Sequence, residues 1–372
     1  MDYQGFGNGS DGVATLSGTD APVDSSCSGT AGLVALTATN AAFAQGKLVL
    51  IHQSRGTGAG NWEFNVIGSY VAGTITTAFP LVNTYADSGA SQAQVIQIPE
   101  YSSVTVSGTL TAKAWDGDVG GIIIFFCNGD VIISGTITAN GKGFRGATSW
   151  SSGNSVVQYA GEGTAGAETQ SMSANGNGGG GGRNEAGAGR NDIVAGAGGS
   201  NGTVGTEGSV PWTWDQGHNS PGSVEGTSDL TTMVFGGGGG TGAADYNNNP
   251  TFGGDGANGG GIIIIFGATI TCTGSGKITS NGDNPPGASS EGGAGAGGSI
   301  LLKGQVIDIG TLCTAIGGTT DQLYDSDPLY HWGLGGDGRI RIEACSLTGT
   351  TDPSASQSVG GNSWCQVPGS IF

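Results

Sequence analysis

The sequence predicts an all-β protein: a parallel β-helix or solenoid-like body with ordered, polyglycine II-like segments and an N-terminal β-barrel or sandwich module. Three observations predict it. Glycine supplies 78 of 372 residues, with runs of five at 178–182 and 236–240, and that density costs too much ordering entropy for helices or a large aliphatic core. Between the glycine bursts stand continuous apolar runs, Ile122-Ile-Ile-Phe-Phe126 and Ile262-Ile-Ile-Ile-Phe266, of the kind that strands buried on both faces require. Finally, whole units recur at 121–141, 261–282 and 298–318, and a shorter copy opens Gly338-Arg-Ile-Arg-Ile-Glu343.

Residues 1–46 are expected to form an extended, assembly-type segment, within which the Ala-rich piece 31–45 is the only stretch of helical composition. Residues 47–103 read as β-hairpins. Apolar runs at 47–52, 61–67, 74–79 and 93–98 alternate with Gly, Ser, Asn and Asp turns, as a small barrel or sandwich needs.

Residues 104–349 carry the recurring units, each reading as three short strands broken at Gly or Asn-Gly corners. One such coil cannot bury its own inward side chains, so copies must stack. Antiparallel hairpins of similar composition remain the alternative. The long insert 143–259 holds both glycine runs and, with 292–298, reads as a second ordered layer whose backbone groups bond between neighbours because no Cβ intervenes. A disordered decoration is the competing reading, above all for 153–208. Residues 350–372 form a C-terminal tail.

Twenty-nine acidic residues against 11 basic give a formal charge of −18, which argues against nucleic acid as a partner. The opening Met1-Asp2-Tyr3-Gln4-Gly5 lacks the basic and apolar regions of a secretory signal, and no apolar run approaches the ~20 residues of a membrane span. Release by lysis is the expected route outside the cell, with no membrane insertion. Six cysteines make no Cys-x-x-Cys pair and His52, His218 and His331 are scattered, so neither a metal site nor a cofactor is expected. Cys345 and Cys365 are the expected disulfide in an oxidising compartment, where they would pin the tail.

Close carboxylates at Asp116 and Asp118, and at Asp321, Asp325 and Asp327, raise a glycosidase pair; turn formation accounts for most Asp in glycine-rich chains. Recognition is favoured over catalysis. Trp212, Trp214 and His218 lie together in one loop, and Tyr324, Tyr330, His331 and Trp332 in another, offering flat amphipathic rings beside carboxylates and amides for glycan or receptor contact. Half of these aromatics are expected to cap the solenoid instead. Trp364, Ile371 and Phe372 form a weakly charged terminus suited to assembly.

Gly5-Phe-Gly-Asn-Gly-Ser-Asp-Gly12, followed by Thr/Ser strands, resembles the openings of bacteriophage tail-fibre and virion appendage proteins. The series Ile51-His-Gln53, Pro99-Glu-Tyr101, Trp115-Asp-Gly117, Gly143-Phe-Arg-Gly146 and Gly335-Gly-Asp-Gly-Arg-Ile-Arg-Ile342 is similar to a Gly-rich surface module of phage and bacterial extracellular proteins. The resemblance implies a non-enzymatic virion structural or receptor-binding protein that self-associates or joins other virion proteins and meets a host surface glycan. A cellular extracellular filament or surface-layer protein is the alternative, and a tailspike depolymerase the third. If stacking between coils holds the body together, a peptide covering 261–318 alone gives a random-coil circular dichroism spectrum, whereas the full chain gives a strand spectrum without helix. A folded isolated unit contradicts the stacking.

Overall fold

The computed structural model describes residues 5–148, 158–183, 195–208, 219–243, 254–286, 292–320, 333–360 and Cys365. Among them the fold is all-β, without helices, and its main sheets are parallel, as a β-solenoid requires.

Two parallel sheets run the length of the body. The longer is ordered Val13–Thr15, Ser103–Val106, Ile122–Ile133, Ile262–Cys272, Ser299–Asp308, Arg339–Thr348 and Ser356–Val359, with Glu100–Tyr101 beside the third of these. The shorter is ordered Gly18–Thr19, Thr109–Thr111, Thr136–Thr138, Lys277–Thr279, Cys313–Thr314 and Thr351–Asp352. Each coil therefore contributes one long and one short strand, where three short ones were expected. A bulge between Cys127 and Asp130 bends the chain without ending the pairing, so two expected strands merge into one.

Register explains the apolar runs. Ile123, Ile263, Ile300 and Ile340 form one rung-to-rung ladder, and Phe125, Ile265, Leu302 and Ile342 the next; both face the core between the two sheets. The alternate residues Ile122, Ile124, Phe126, Ile262, Ile264, Phe266 and Leu301 face a second core on the other side. There Phe126 and Phe266 stack at 4.6 Å, and the Lys303 ammonium lies 5.3 Å from the Phe266 ring centroid and 3.9 Å from Glu343. At the last long rung the second face is only half-buried, and the sequence changes from continuous isoleucine to the alternation Arg339-Ile-Arg-Ile-Glu343.

The second core is closed by an antiparallel sheet ordered Asp24–Ser26, Gln92–Gln97, Leu48–Arg55, Trp62–Val71, Thr74–Thr77 and Ala35–Thr37. Bridges from Gly29 to Leu36 and Tyr85 draw its edges together around Cys27, Leu36, Val49, Ile51, Ile75 and Tyr85. The boundary expected at residue 47 is therefore displaced. Residues 13–19 pair with the solenoid sheets and residues 24–37 supply two strands of the antiparallel sheet. The piece 31–45 is turn and strand, because Leu36 is needed between the curled edges.

The glycine-rich segments pack side by side. Along 236–242, Gly236, Gly239 and Gly242 donate to Gly260, Ala257 and Gly254; Gly237 and Gly240 donate to Ser200 and Ala197; Gly238 and Thr241 donate to Glu162 and Tyr159. Its carbonyls accept with the same period, from Phe144 and Ala147, from Ala296 and Gly293, and from Gly179 and Gly182. Successive residues thus point to different neighbours and every third returns to the same one, so this segment is surrounded by six others. The packing extends beyond the expected insert and 292–298, since 280–283, 314–318 and 333–338 from the later coils join it.

A side chain has no room there. A Cβ placed on Gly238 would fall on the carbonyl of Arg145, and one on Gly239 on that of Gly293. Each net backbone hydrogen bond contributes about 0.5–1.5 kcal/mol, which offsets the roughly 0.5–1 kcal/mol ordering cost of a glycine only while the close packing survives. Gly238→Val is accordingly expected to destabilise by at least about 3 kcal/mol, seen as a large fall in melting temperature. Gly108→Ala, whose Cβ would meet Ser17 at an ordinary 3.6 Å, changes stability by less than about 1 kcal/mol. Equal melting of wild type and Gly238→Val rules the packing out.

Candidate functional site

The chain makes six outward-and-back excursions through the glycine packing. Segments 143–148, 178–183, 204–208, 236–243, 280–286 and 314–320 run outward, and 158–163, 195–200, 219–222, 254–261, 292–298 and 333–338 run back. The anchors at the far end are neighbours: Gly182 donates to Thr241, Gly242 to Gly254, Gly293 to Gly240, and Gly208 to the Asn219 side chain. The intervening segments, 149–157, 184–194, 209–218, 244–253, 287–291 and 321–332, lie outside the described residues. So do Trp212, Trp214, His218, Tyr324, Tyr330, His331 and Trp332, together with Trp364, Ile371 and Phe372. What the structure fixes is where two aromatic-bearing segments begin and end: at Gly208 and Asn219, and at Thr320 and Gly333, on the same face.

A groove runs along the flank of the packing. One cleft of about 450 Å³ is lined by Asn140, Asn281, Asp283, Asn284, Ile316 and Thr319. A second, of about 310 Å³, is lined by Ala147, Asp255, Asn258, Asp283, Asn284 and Pro286. Its floor is the Asn-Gly corner of successive coils. Asn281 N–H donates to Asn140 Oδ1 at 2.7 Å, and Ile316 N–H donates to Asn281 Oδ1 at 3.0 Å. Gly141, at φ +59°, makes the corner, and a Cβ there would strike the Asp283 carboxylate. Desolvation by the surrounding groups raises the Asp283 carboxyl from its ordinary value, opposed by Lys142. Sequence reading missed these residues, because Asn-Gly was explained as a turn and only the coil register brings Asn140 beside Asn281.

Two buried polar networks hold the antiparallel sheet to the glycine packing. Glu162 is buried and accepts from Arg55 Nη1 and, at 2.9 Å, from Arg145 Nε. His52 lies within hydrogen-bond reach of Ser54, and both are buried. The Met233 carbonyl, 2.8 Å from Nε2, must receive a proton from it, so Nδ1 accepts from the Ser54 hydroxyl. Gln94 in turn donates to Ser54 Oγ and clasps both backbone groups of Gly120. This Ser–His pair is spent on joining elements.

The Asp116 carboxylate accepts from the Asp118 and Val119 amides, at 2.9 Å each, which makes it a turn former. Asp321, Asp325 and Asp327 lie outside the described residues. No group of three or more His, Cys, Asp or Glu that could hold a metal ion occurs among the described residues. Cys345 and Cys365 are disulfide-bonded, with Cα atoms 5.3 Å apart.

No family model and no curated protein matches the sequence. Among solved structures, the Gp54 tailspike of Acinetobacter baumannii bacteriophage AP22, in complex with A. baumannii capsular saccharide, gives a TM-score of 0.20 at 11% identity. The likeness covers 91% of this chain and 57% of the tailspike, and at that level it carries no argument about fold or activity.

Burial lowers the His52 imidazole to about 4 from 6.5, against the Met233 carbonyl, which favours the charged form. The unfolded chain therefore takes up this proton at higher pH than the folded chain. Stability is expected to fall by about 3 kcal/mol as pH drops from about 6.5 to 4, then to level off. Denaturant melts across that range check it, and His52→Gln flattens this part of the profile. An unchanged slope in the variant rules the imidazole out as its source.

Proposed function

We propose that this chain is a non-enzymatic virion structural or receptor-binding protein, a phage fibre or adhesin acting in host-surface attachment or particle assembly. In this reading the glycine segments form a polyglycine II lattice on a β-solenoid. The described segments of that lattice end together, and the aromatic residues Trp212 and Trp214, with Tyr324, Tyr330, His331 and Trp332, meet a host surface glycan. The observation that carries it is the convergence of the anchors: the described ends of the outgoing and returning segments lie together at one end of the packing. The site of action is the virion, assembled in the host cytoplasm and then exposed outside the cell. Closure of Cys345–Cys365 then belongs to the oxidising surroundings after release.

A second reading, an extracellular filament, is favoured by the strands Val13–Thr15 and Gly18–Thr19, which among the described residues pair on one side only. Their free edges are uncharged and would accept another copy.

The test is adsorption to a panel of bacterial isolates by particles or beads carrying the full chain. Joint replacement of Trp212 and Trp214 by alanine, or of Tyr324, Tyr330 and Trp332, is expected to cut adsorption at least about tenfold, the worth of one to two stacked rings, with melting temperature unchanged. Full adsorption by both variants overturns the reading. Shortening of a capsular polysaccharide by the purified chain would favour a depolymerase, and filaments in electron micrographs the second reading.

A further inference from the structure

We propose that the flank groove at the asparagine corner is a binding site for a neutral oligosaccharide, separate from the tips and independent of what they bind. The two clefts share Asp283 and Asn284 and so form one continuous trough, in the size range of small-ligand sites.

The chemistry follows from how its asparagines are held. Each uses its side-chain oxygen to take a backbone N–H: Asn140 from Asn281, Asn281 from Ile316, Asn284 from Thr319 at 2.8 Å, and Asn258 from Gly146 at 2.9 Å. With the oxygen fixed, the orientation of each amide is fixed, and its NH2 carries two donors facing away. Those nitrogens make no hydrogen bond among the described residues.

Rigid donors beside the Asp283 carboxylate complement a hydroxyl, which accepts from one and donates to the other. Asn140 and Asn281 stand on neighbouring coils, about 4.8 Å apart by strand spacing, so donors repeat along the solenoid as hydroxyls repeat along a sugar chain. Asp255 and Asp283 in the lining and the net charge of −18 disfavour phosphate, sulfate or an acidic polysaccharide. The apolar lining, Ala147, Ala257, Ile316 and Pro286, is too sparse to hold an apolar ligand.

The experiment titrates the full chain with neutral hexasaccharides of glucose, mannose and galactose, and with an oligogalacturonate, by calorimetry and by NMR of asparagine side-chain amides. At least one neutral sugar is expected to bind with millimolar affinity or better and to shift the side-chain amide signals of Asn140, Asn281 and Asn284, while the oligogalacturonate does not bind. Asp283→Ala and Asn284→Ala, both at exposed positions, should each weaken binding about tenfold, as loss of a hydrogen bond to a charged or fixed group predicts. Replacing Trp212 and Trp214 should leave it unchanged. The proposal fails if no neutral sugar binds, if the wild-type amide signals stay still, or if sugar binding survives Asp283→Ala and is lost with the tryptophans. Because the amide shifts are read on the wild-type chain, a variant that folds poorly does not protect the proposal.

Discussion

Everything distinctive here depends on backbones approaching closer than any side chain permits. Once segments of the kind running through 236–242 lie at that distance, each residue finds a donor or an acceptor on a different neighbour. The hydrogen bonds then radiate around the segment, where those of a sheet lie in one plane. A sheet can grow only at its two edges; a segment bonded in this way is satisfied on all sides. Glycine is required less for its torsional freedom than for its missing Cβ, since the carbonyls of Arg145 and Gly293 occupy the places where methyl groups would go.

The solenoid and the glycine packing solve each other's problems. A sheet buried on both faces needs cover, which the packing supplies with Phe144, Met233 and Phe235, and the antiparallel sheet with Leu48, Leu50 and Phe64. Glycine segments, which have no side chains to form a core, need their ends placed, and the regular spacing of the coils places them. The buried Arg55–Glu162 pair, joined from the exposed side by Arg145, and the His52–Ser54–Gln94 chain sit at that seam. Buried ionic groups of this kind specify geometry more than they stabilise it.

Much of this was legible in the residues. Continuous isoleucine at 262–265 announced a strand with two buried faces, the run 338–343 a further copy of the unit, and the Asn-Gly corners marked where coils turn. The outer boundaries were not legible, because residues 13–19 and 24–37 are short, polar and pair with partners as distant as Gly18 from Leu110. Nor was the bulge at Cys127, since nothing local separates a bent strand from two strands. The flank groove was hidden for a related reason: Asn140 and Asn281 become neighbours only through the register between Thr138 and Thr279. The three-residue bonding period of the glycine segments leaves no mark in a sequence of identical residues.

The excursions also have a mechanical side. A pull on any tip is directed along its two glycine segments, parallel to their axes and across their hydrogen bonds. Extraction must then shear many bonds to several neighbours together, and cannot peel them one at a time as in a hairpin unzipped from its end. Load entering at one tip is divided among the surrounding segments and passed into the ladders of the long sheet. The material most often associated with slack linkers is here bonded so as to resist being drawn out.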